Sequence, residues 1–168
     1  MKAIFLFLYI LFPGKKLDKE MNYTASTPAG NEVRDFLGIS QVDSMDFIRW
    51  KLKIIDGKEF NLSCTYGIGK PNTNGFIDEK KVERKGTTNL KNDVLTLSRQ
   101  DKVLSLLMLN DNIIHILNKQ GTMMVGNGGW SYTLNSVKKV PTSQINFKWQ
   151  ERGFSDSVSF EGRTMQGN

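Results

Sequence analysis

Two runs of strict alternation, joined by an Asp-Gly pair, constrain this chain more than any other feature. Ile48, Trp50, Leu52 and Ile54 alternate with Arg49, Lys51 and Lys53; after Asp56-Gly57, Phe60, Leu62, Cys64 and Tyr66 alternate with Asn61, Ser63 and Thr65. Successive side chains of a strand point to opposite faces, so each run carries one apolar and one polar face. Asp-Gly accepts the positive φ angles of a tight hairpin turn. A lone hairpin is at best marginal in water, so the rest of the chain must supply strands that cover its apolar face.

Turn signals recur along the remainder. Val33 to Ile39 reads as a short strand, and Gly67 to Gly75, rich in Gly, Pro and Asn, as a long connection at a barrel mouth. Glu79 to Thr87 reads as a weak, highly charged strand, either an edge or a solvated one, followed by strands at Val94–Leu97, Val103–Leu109, Ile113–Leu117, Thr122–Val125 and around Trp130, Tyr132 and Leu134. No long amphipathic helix intervenes. About nine short strands at such spacing predict an all-β fold, a small antiparallel up-and-down (lipocalin-like) β-barrel of about eight to nine strands with irregular tails. Closure removes the sheet edges that would otherwise pair with other chains.

The ends read differently. Residues 1–14 hold Lys2 and the apolar run Ala3 to Phe12, a signal or short apolar anchor. The run is shorter than the roughly 20 residues a membrane-spanning helix needs and predicts export, to the periplasm or the outer membrane. Residues 15–31 read as a linker, 32–137 as the barrel domain, and 138–168 as a tail in which Ile145 to Trp149 is one more strand candidate. Ser159-Phe160-Glu161-Gly162-Arg163-Thr164 echoes Asp35-Phe36-Leu37-Gly38-Ile39-Ser40, so the tail is either the start of a second, truncated repeat or a chance match.

Composition narrows the chemistry. With 39% hydrophobic and 24% charged residues the chain is globular rather than disordered, and its net charge of +6 points toward anionic partners. The densest basic group, Lys80, Lys81, Arg84 and Lys85, contains no aromatic residue, so the nucleic-acid signal is not strong; a basic barrel binding nucleic acid is the alternative reading. One cysteine and one histidine exclude an internal disulfide and argue against zinc. Met45, Met123, Met124 and Cys64 are soft donors, but Met123 and Met124 are strand neighbours and face opposite ways. Gly67-Ile-Gly-Lys70 lacks the spacing of a phosphate loop, and no nucleophile-elbow or zinc-protease motif occurs. The expectation is a non-enzyme with no catalytic residue, metal or cofactor. Trp50, Phe60, Tyr66, Trp130 and Tyr132 are expected on the inward face, either as core or, with His115 as a polar group, lining a site for a small apolar ligand.

The order of certain segments resembles bacterial envelope proteins related to the N-terminal domain of the copper-resistance lipoprotein NlpE. The segments are Phe36-x-Gly38, Ile48-Arg-Trp-Lys-Leu52, Asn61-Leu-Ser-Cys-Thr-Tyr-Gly67, Ser105 to Leu109, Asn112 to Leu117 and, most specifically, Met124-Val-Gly-Asn-Gly-Gly-Trp-Ser-Tyr-Thr-Leu-Asn135. The resemblance implies a lipocalin-like barrel, an envelope location and association with envelope components in a stress or structural role. That family's Cys-x-x-Cys pair has no counterpart in Ile39 to Asp46, so its copper or thiol chemistry does not carry over.

Overall fold

The computed structural model describes residues 19–73, 75–138, 157–160 and 163–166. The expected signal or anchor at 1–14 and the strand candidate Ile145 to Trp149 lie outside the described residues. The chain divides into two compact units, Met1–Val137 and Lys138–Asn168.

The first unit is a closed barrel of eight strands, each hydrogen-bonded antiparallel to its neighbour in sequence: β1 (Glu20–Thr27), β2 (Phe47–Ile55), β3 (Glu59–Gly69), β4 (Phe76–Lys91), β5 (Val94–Arg99), β6 (Lys102–Asn110), β7 (Ile113–Ile116) and β8 (Thr133–Ser136). The predicted up-and-down barrel is the observed one. β8 closes on β1 through Tyr23 opposite Ser136 and Thr24 opposite Asn135. The Asp56-Gly57 turn has positive φ at both residues, 49° and 64°, as does the Asn92-Asp93 turn between β4 and β5 at 51° and 60°.

The barrel starts earlier than the sequence suggested. Glu20–Thr27, inside the stretch read as a linker, is β1, and it pairs with β2 along its whole length, from Glu20 opposite Ile55 to Thr27 opposite Ile48. Its inward positions are Met21, Tyr23, Ala25 and Thr27, a weak apolar row that the sheet nevertheless buries. Val33 to Ile39, expected as a strand, is instead mostly the helix α1 (Asn31–Leu37), between β1 and β2. Val33, Phe36 and Leu37, spaced i, i+3, i+4, form one buried face. Gly38 ends the helix in the left-handed region at φ 68°; its N–H bonds to Asp35 O (3.1 Å), and Ile39 N–H bonds to Arg34 O (2.9 Å). The expected strand at Thr122–Val125 reduces to a single bridge between Leu117 and Met123.

Helix α1 lies at the end of the barrel where β1, β3, β5 and β7 finish, called here the lid end. The other, far end carries the Asp56-Gly57, Asn92-Asp93 and Asp111-Asn112 turns. Three inward-facing cations at the rim hold the lid. Arg84 Nε donates to Leu37 O (2.8 Å), Arg99 Nη1 to Phe36 O (2.9 Å), and Lys102 Nζ pairs with Asp35 Oδ1 (2.7 Å). The last carbonyls of a helix lack internal partners and carry the negative end of its dipole, so cations belong there. This also explains β4. Its inward row, Lys80, Val82, Arg84, Gly86, Thr88 and Leu90, is too polar to read as a core strand. Its charged members face the lid and its loop, while Val82 and Leu90 pack against the core.

The second unit contains a hairpin of β9 (Ser157–Phe160) and β10 (Arg163–Gln166). The two echoing segments fold differently: Phe36 lies in a helix that Gly38 terminates, whereas Phe160 ends a strand.

Candidate binding surface

The lumen is full. Trp50, Ile48, Ile54, Cys64, Leu95, Leu97, Leu106, Ile114, Ile116 and Leu134 have no solvent-accessible surface at all. A side chain that water cannot touch does not line a cavity that water or a ligand occupies. Of the six residues expected to form a ligand site, four face inward and are buried: Trp50, Phe60, Tyr66 and Tyr132. They act as core. Trp50 Nε1 donates to Thr27 Oγ1 (2.8 Å), and that hydroxyl donates to Pro28 O (3.1 Å), which satisfies the buried indole N–H. The Phe60 ring packs on Gly86, directly opposite it, and on Phe36 of the lid, 6.1 Å between centroids. The Tyr132 hydroxyl sits against the Gly30 backbone, and burial raises its pKa. The Tyr66 hydroxyl donates to Asp43 Oδ2 (3.3 Å), which also takes Lys80 Nζ (3.0 Å) on its other oxygen. Burial, then the neighbouring Asp43 charge, raises the Tyr66 pKa, and the Lys80 hydrogen bond lowers that of Asp43.

The other two expected residues are not in the lumen. His115 alternates with the buried Ile114 and Ile116 and so lies on the outer face. Its Nε2 is 2.9 Å from Met124 O and its Nδ1 2.9 Å from Thr133 Oγ1. A carbonyl only accepts, so Nε2 carries the proton and, in the neutral ring, Nδ1 accepts from Thr133. The imidazole thus staples the loop that follows β7. Trp130, expected on the inward face, is on the outer surface. In its turn Asn127 Oδ1 accepts from Gly129 N (3.2 Å) and Trp130 N (2.9 Å), with Gly128 at φ 88°. That is why Gly-Asn-Gly-Gly-Trp folds as it does: asparagine caps the turn and glycine supplies the left-handed residue.

Nucleophile chemistry finds no support in this arrangement. Cys64 is fully buried, and burial raises its thiol pKa far above the range in which a thiolate forms near neutral pH. It faces the lumen while His115 faces outward. Met123 is half exposed while Met124 packs against the core, so the two diverge as expected for strand neighbours. Among the described residues no group of three or more His, Cys, Asp or Glu side chains converges as a metal site would require.

The outer surface carries what the lumen does not. On the wall formed by β2, β3 and β4, three cross-strand rows present Arg49–Thr65–Lys81, Lys51–Ser63–Glu83 and Lys53–Asn61–Lys85. Within these rows five cations stand against one carboxylate, Glu83, which pairs with Lys81, and from the adjoining β1 Glu20 pairs with Lys53 (2.6 Å). The run Lys80–Lys85 does not form one basic face: Lys81 and Lys85 join this wall, while Lys80 and Arg84 turn inward to Asp43 and the lid helix. At the lid end of the same wall lies an aromatic stack. Phe47 packs on Phe76 (4.6 Å between centroids) and on Trp130 (4.4 Å), and the Arg49 guanidinium lies 5.0 Å from the Phe76 ring. The stack links the loop after β7 to the β3–β4 hairpin.

Apolar exposure is equally lopsided. Ile68 and Ile77 stand at the tip of the β3–β4 hairpin, Met123, Val125 and Trp130 in the loop after β7, and Val42 and Val103 beside the lid; all are more than a third exposed. Only two other large hydrophobics among the described residues are that exposed, Leu109 and Val137, at the far end. Rim composition of this kind could not be read from sequence, because it depends on which turns share an end. The one available signal was the set of isolated apolar residues inside turn-like stretches, Ile68 and Val125 among them.

No protein-family model, no curated protein and no solved structure matches this chain. The structure defines the class as a closed eight-stranded up-and-down β-barrel.

Proposed function

We propose that this chain is a non-catalytic, exported barrel of the bacterial envelope that acts through its outside, in a structural or stress-related role and in association with envelope components. The observation that carries the reading is the filled lumen: Trp50, Phe60, Tyr66 and Tyr132, the side chains best suited to greet an apolar ligand, are packed as core. Lipocalin-like barrels that hold ligands need open interior volume, on the order of 300 Å³ or more. The buried, high-pKa thiol of Cys64 and the engaged imidazole of His115 give no nucleophile–base pair. The resemblance to envelope barrels and the apolar run Ala3 to Phe12 support the location.

The test is a titration of the folded full chain with fluorescent fatty-acid and retinoid-like probes, alongside fractionation of the expressing bacterium. The expected result is no saturable probe binding and recovery of the chain with the envelope fractions. Stoichiometric probe displacement, or a purely cytosolic chain, overturns the respective half of the reading.

A further inference from the structure

We infer that the lid-end rim and the basic wall beside it dock this protein onto an anionic phospholipid bilayer. The inference rests on the outward-acting barrel proposed above and names its partner. Two protrusions, the β3–β4 hairpin tip and the loop after β7, offer Ile68 (44% exposed), Ile77 (47%), Val125 (90%) and Trp130 (38%) to the surroundings. The Trp130–Phe47–Phe76 stack fixes the protrusions side by side. Aliphatic tips of this kind gain free energy only where they leave water, and tryptophan favours the level of the lipid headgroups.

The wall supplies the complementary charge. Lys51, Lys53, Lys81 and Lys85 stand on the face where Trp130 sits, Lys53 and Lys81 in exposed ion pairs with Glu20 and Glu83, in a chain of net charge +6, and long lysine stems let ammonium groups reach headgroups while the tips insert. Of the carboxylates near the tips, Asp43 holds Lys80 and Asp46 accepts from Gly69 N (2.6 Å), while Asp78 and Glu79 share their hairpin with Lys70.

Two other partners fit less well. Single-stranded nucleic acid binds through open aromatic faces, yet Phe47 and Phe76 are buried against each other, Trp130 and Arg49, and aliphatic tips offer bases nothing. A protein interface of ordinary kind wants one packed apolar centre with a polar rim, whereas here the apolar groups sit on separate tips.

The experiment uses the full chain with Val125→Cys, labelled with an environment-sensitive fluorophore; the native Cys64 is buried and does not compete for the label. Vesicles of phosphatidylcholine with about one third phosphatidylglycerol should raise and blue-shift the emission, and pure phosphatidylcholine much less. A label at the far end, on Lys91→Cys, should remain in water. Neutralising Lys51 or Lys85 with glutamine should weaken binding about fivefold each, the equivalent of one interfacial cation. Ile77→Asp and Trp130→Ala, both at exposed positions, should each abolish the Val125→Cys response in a folded protein. The inference is overturned if the chain sediments with vesicles while the label at 125 stays in water, because binding then runs through another segment. It is equally overturned if labels at 91 and 125 respond alike, or if oligothymidylate, and not vesicles, moves the label.

Discussion

Gly86 is where the barrel wall is drawn tightest, and replacing it by alanine tests whether the wall closes as described. A methyl group built at this position overlaps the Ser98 carbonyl oxygen and lies 2.7 Å from Phe60 Cε1. Neither neighbour can easily move. Ser98 belongs to the β5 end of the ladder, paired with Thr87 and Val103, and the Phe60 ring is held between Gly86 and the lid residue Phe36. Forcing the methyl group in displaces the Ser98 carbonyl and strains a packed core, at about 1–3 kcal/mol for overpacking. Losing the ladder bond at Thr87–Ser98 adds about 1 kcal/mol. The expected loss is about 2–4 kcal/mol, a large part of the roughly 5–15 kcal/mol that holds a domain folded. In thermal unfolding, a chain of this size should melt about 4–16 °C lower, at roughly 2–4 °C per kcal/mol. Gly129→Ala is the control. A methyl group there meets only Asn127 Oδ1 at 3.8 Å, an ordinary contact, so the melting temperature should stay within about 2 °C. A Gly86→Ala variant as stable as Gly129→Ala in urea and heat would refute the reasoning, and with it the tight seam between β4 and β5.

Other perturbations have signs that follow directly. Thr27→Val leaves the Trp50 indole N–H without its partner and should destabilise by about 1–3 kcal/mol in urea titration. The same substitution at Thr88, whose buried Oγ1 has no hydrogen-bond partner, should be neutral or stabilise by up to about 1 kcal/mol; opposite signs from one chemical change are the check. Asp35 and Asp43 have pKa values lowered by hydrogen bonds from Lys102 and Lys80, so the folded state binds fewer protons there than the unfolded chain. Their contribution is fully present above the ordinary carboxylate pKa and fades as pH falls through their lowered values. Amide exchange in α1 and its loop should therefore accelerate only below about pH 4, and Lys102→Met should remove the part due to Asp35. Cys64 should react with a water-soluble disulfide reagent only as fast as the barrel opens; immediate reaction in native buffer would contradict its burial.

The barrel was legible because β2 and β3 alternate with period two and their turn residues accept positive φ. Where the fold departed from the reading, tertiary context supplied what local pattern lacked. β1 buries Met21 and Tyr23, but its other inward residues, Ala25 and Thr27, are hardly more apolar than the Thr24 and Ser26 that alternate with them, so its period is faint until β2 and β8 flank it. Val33, Phe36 and Leu37 carry a helical spacing over only seven residues, too short to outweigh β-type composition without the rim cations that cap it. Trp130 was expected inward by alternation with Tyr132 and Leu134, yet the strand begins only at Thr133, and the Asn127 turn before it resets the phase. His115 was seen as a polar lumen group, although simple parity with Ile114 and Ile116 places it outside.

The polar inward side chains are a further reason for the proposal that the barrel acts through its outside. An eight-stranded barrel can hold a small ligand only if some inward positions stay small or polar near its centre. Here the charged inward residues gather at the lid end, Arg84, Arg99 and Lys102 engaging α1 and Lys80 engaging Asp43 in the loop after it. Releasing the lid would strand three cations, expose Val33, Phe36 and Leu37, and uncover Phe60, a penalty no small apolar guest entering a filled interior would recover. The lid is therefore a structural plug rather than a gate. The exposed apolar tips beside it hold none of the lid in place, and contact with the bilayer proposed above would leave the packing of α1 intact.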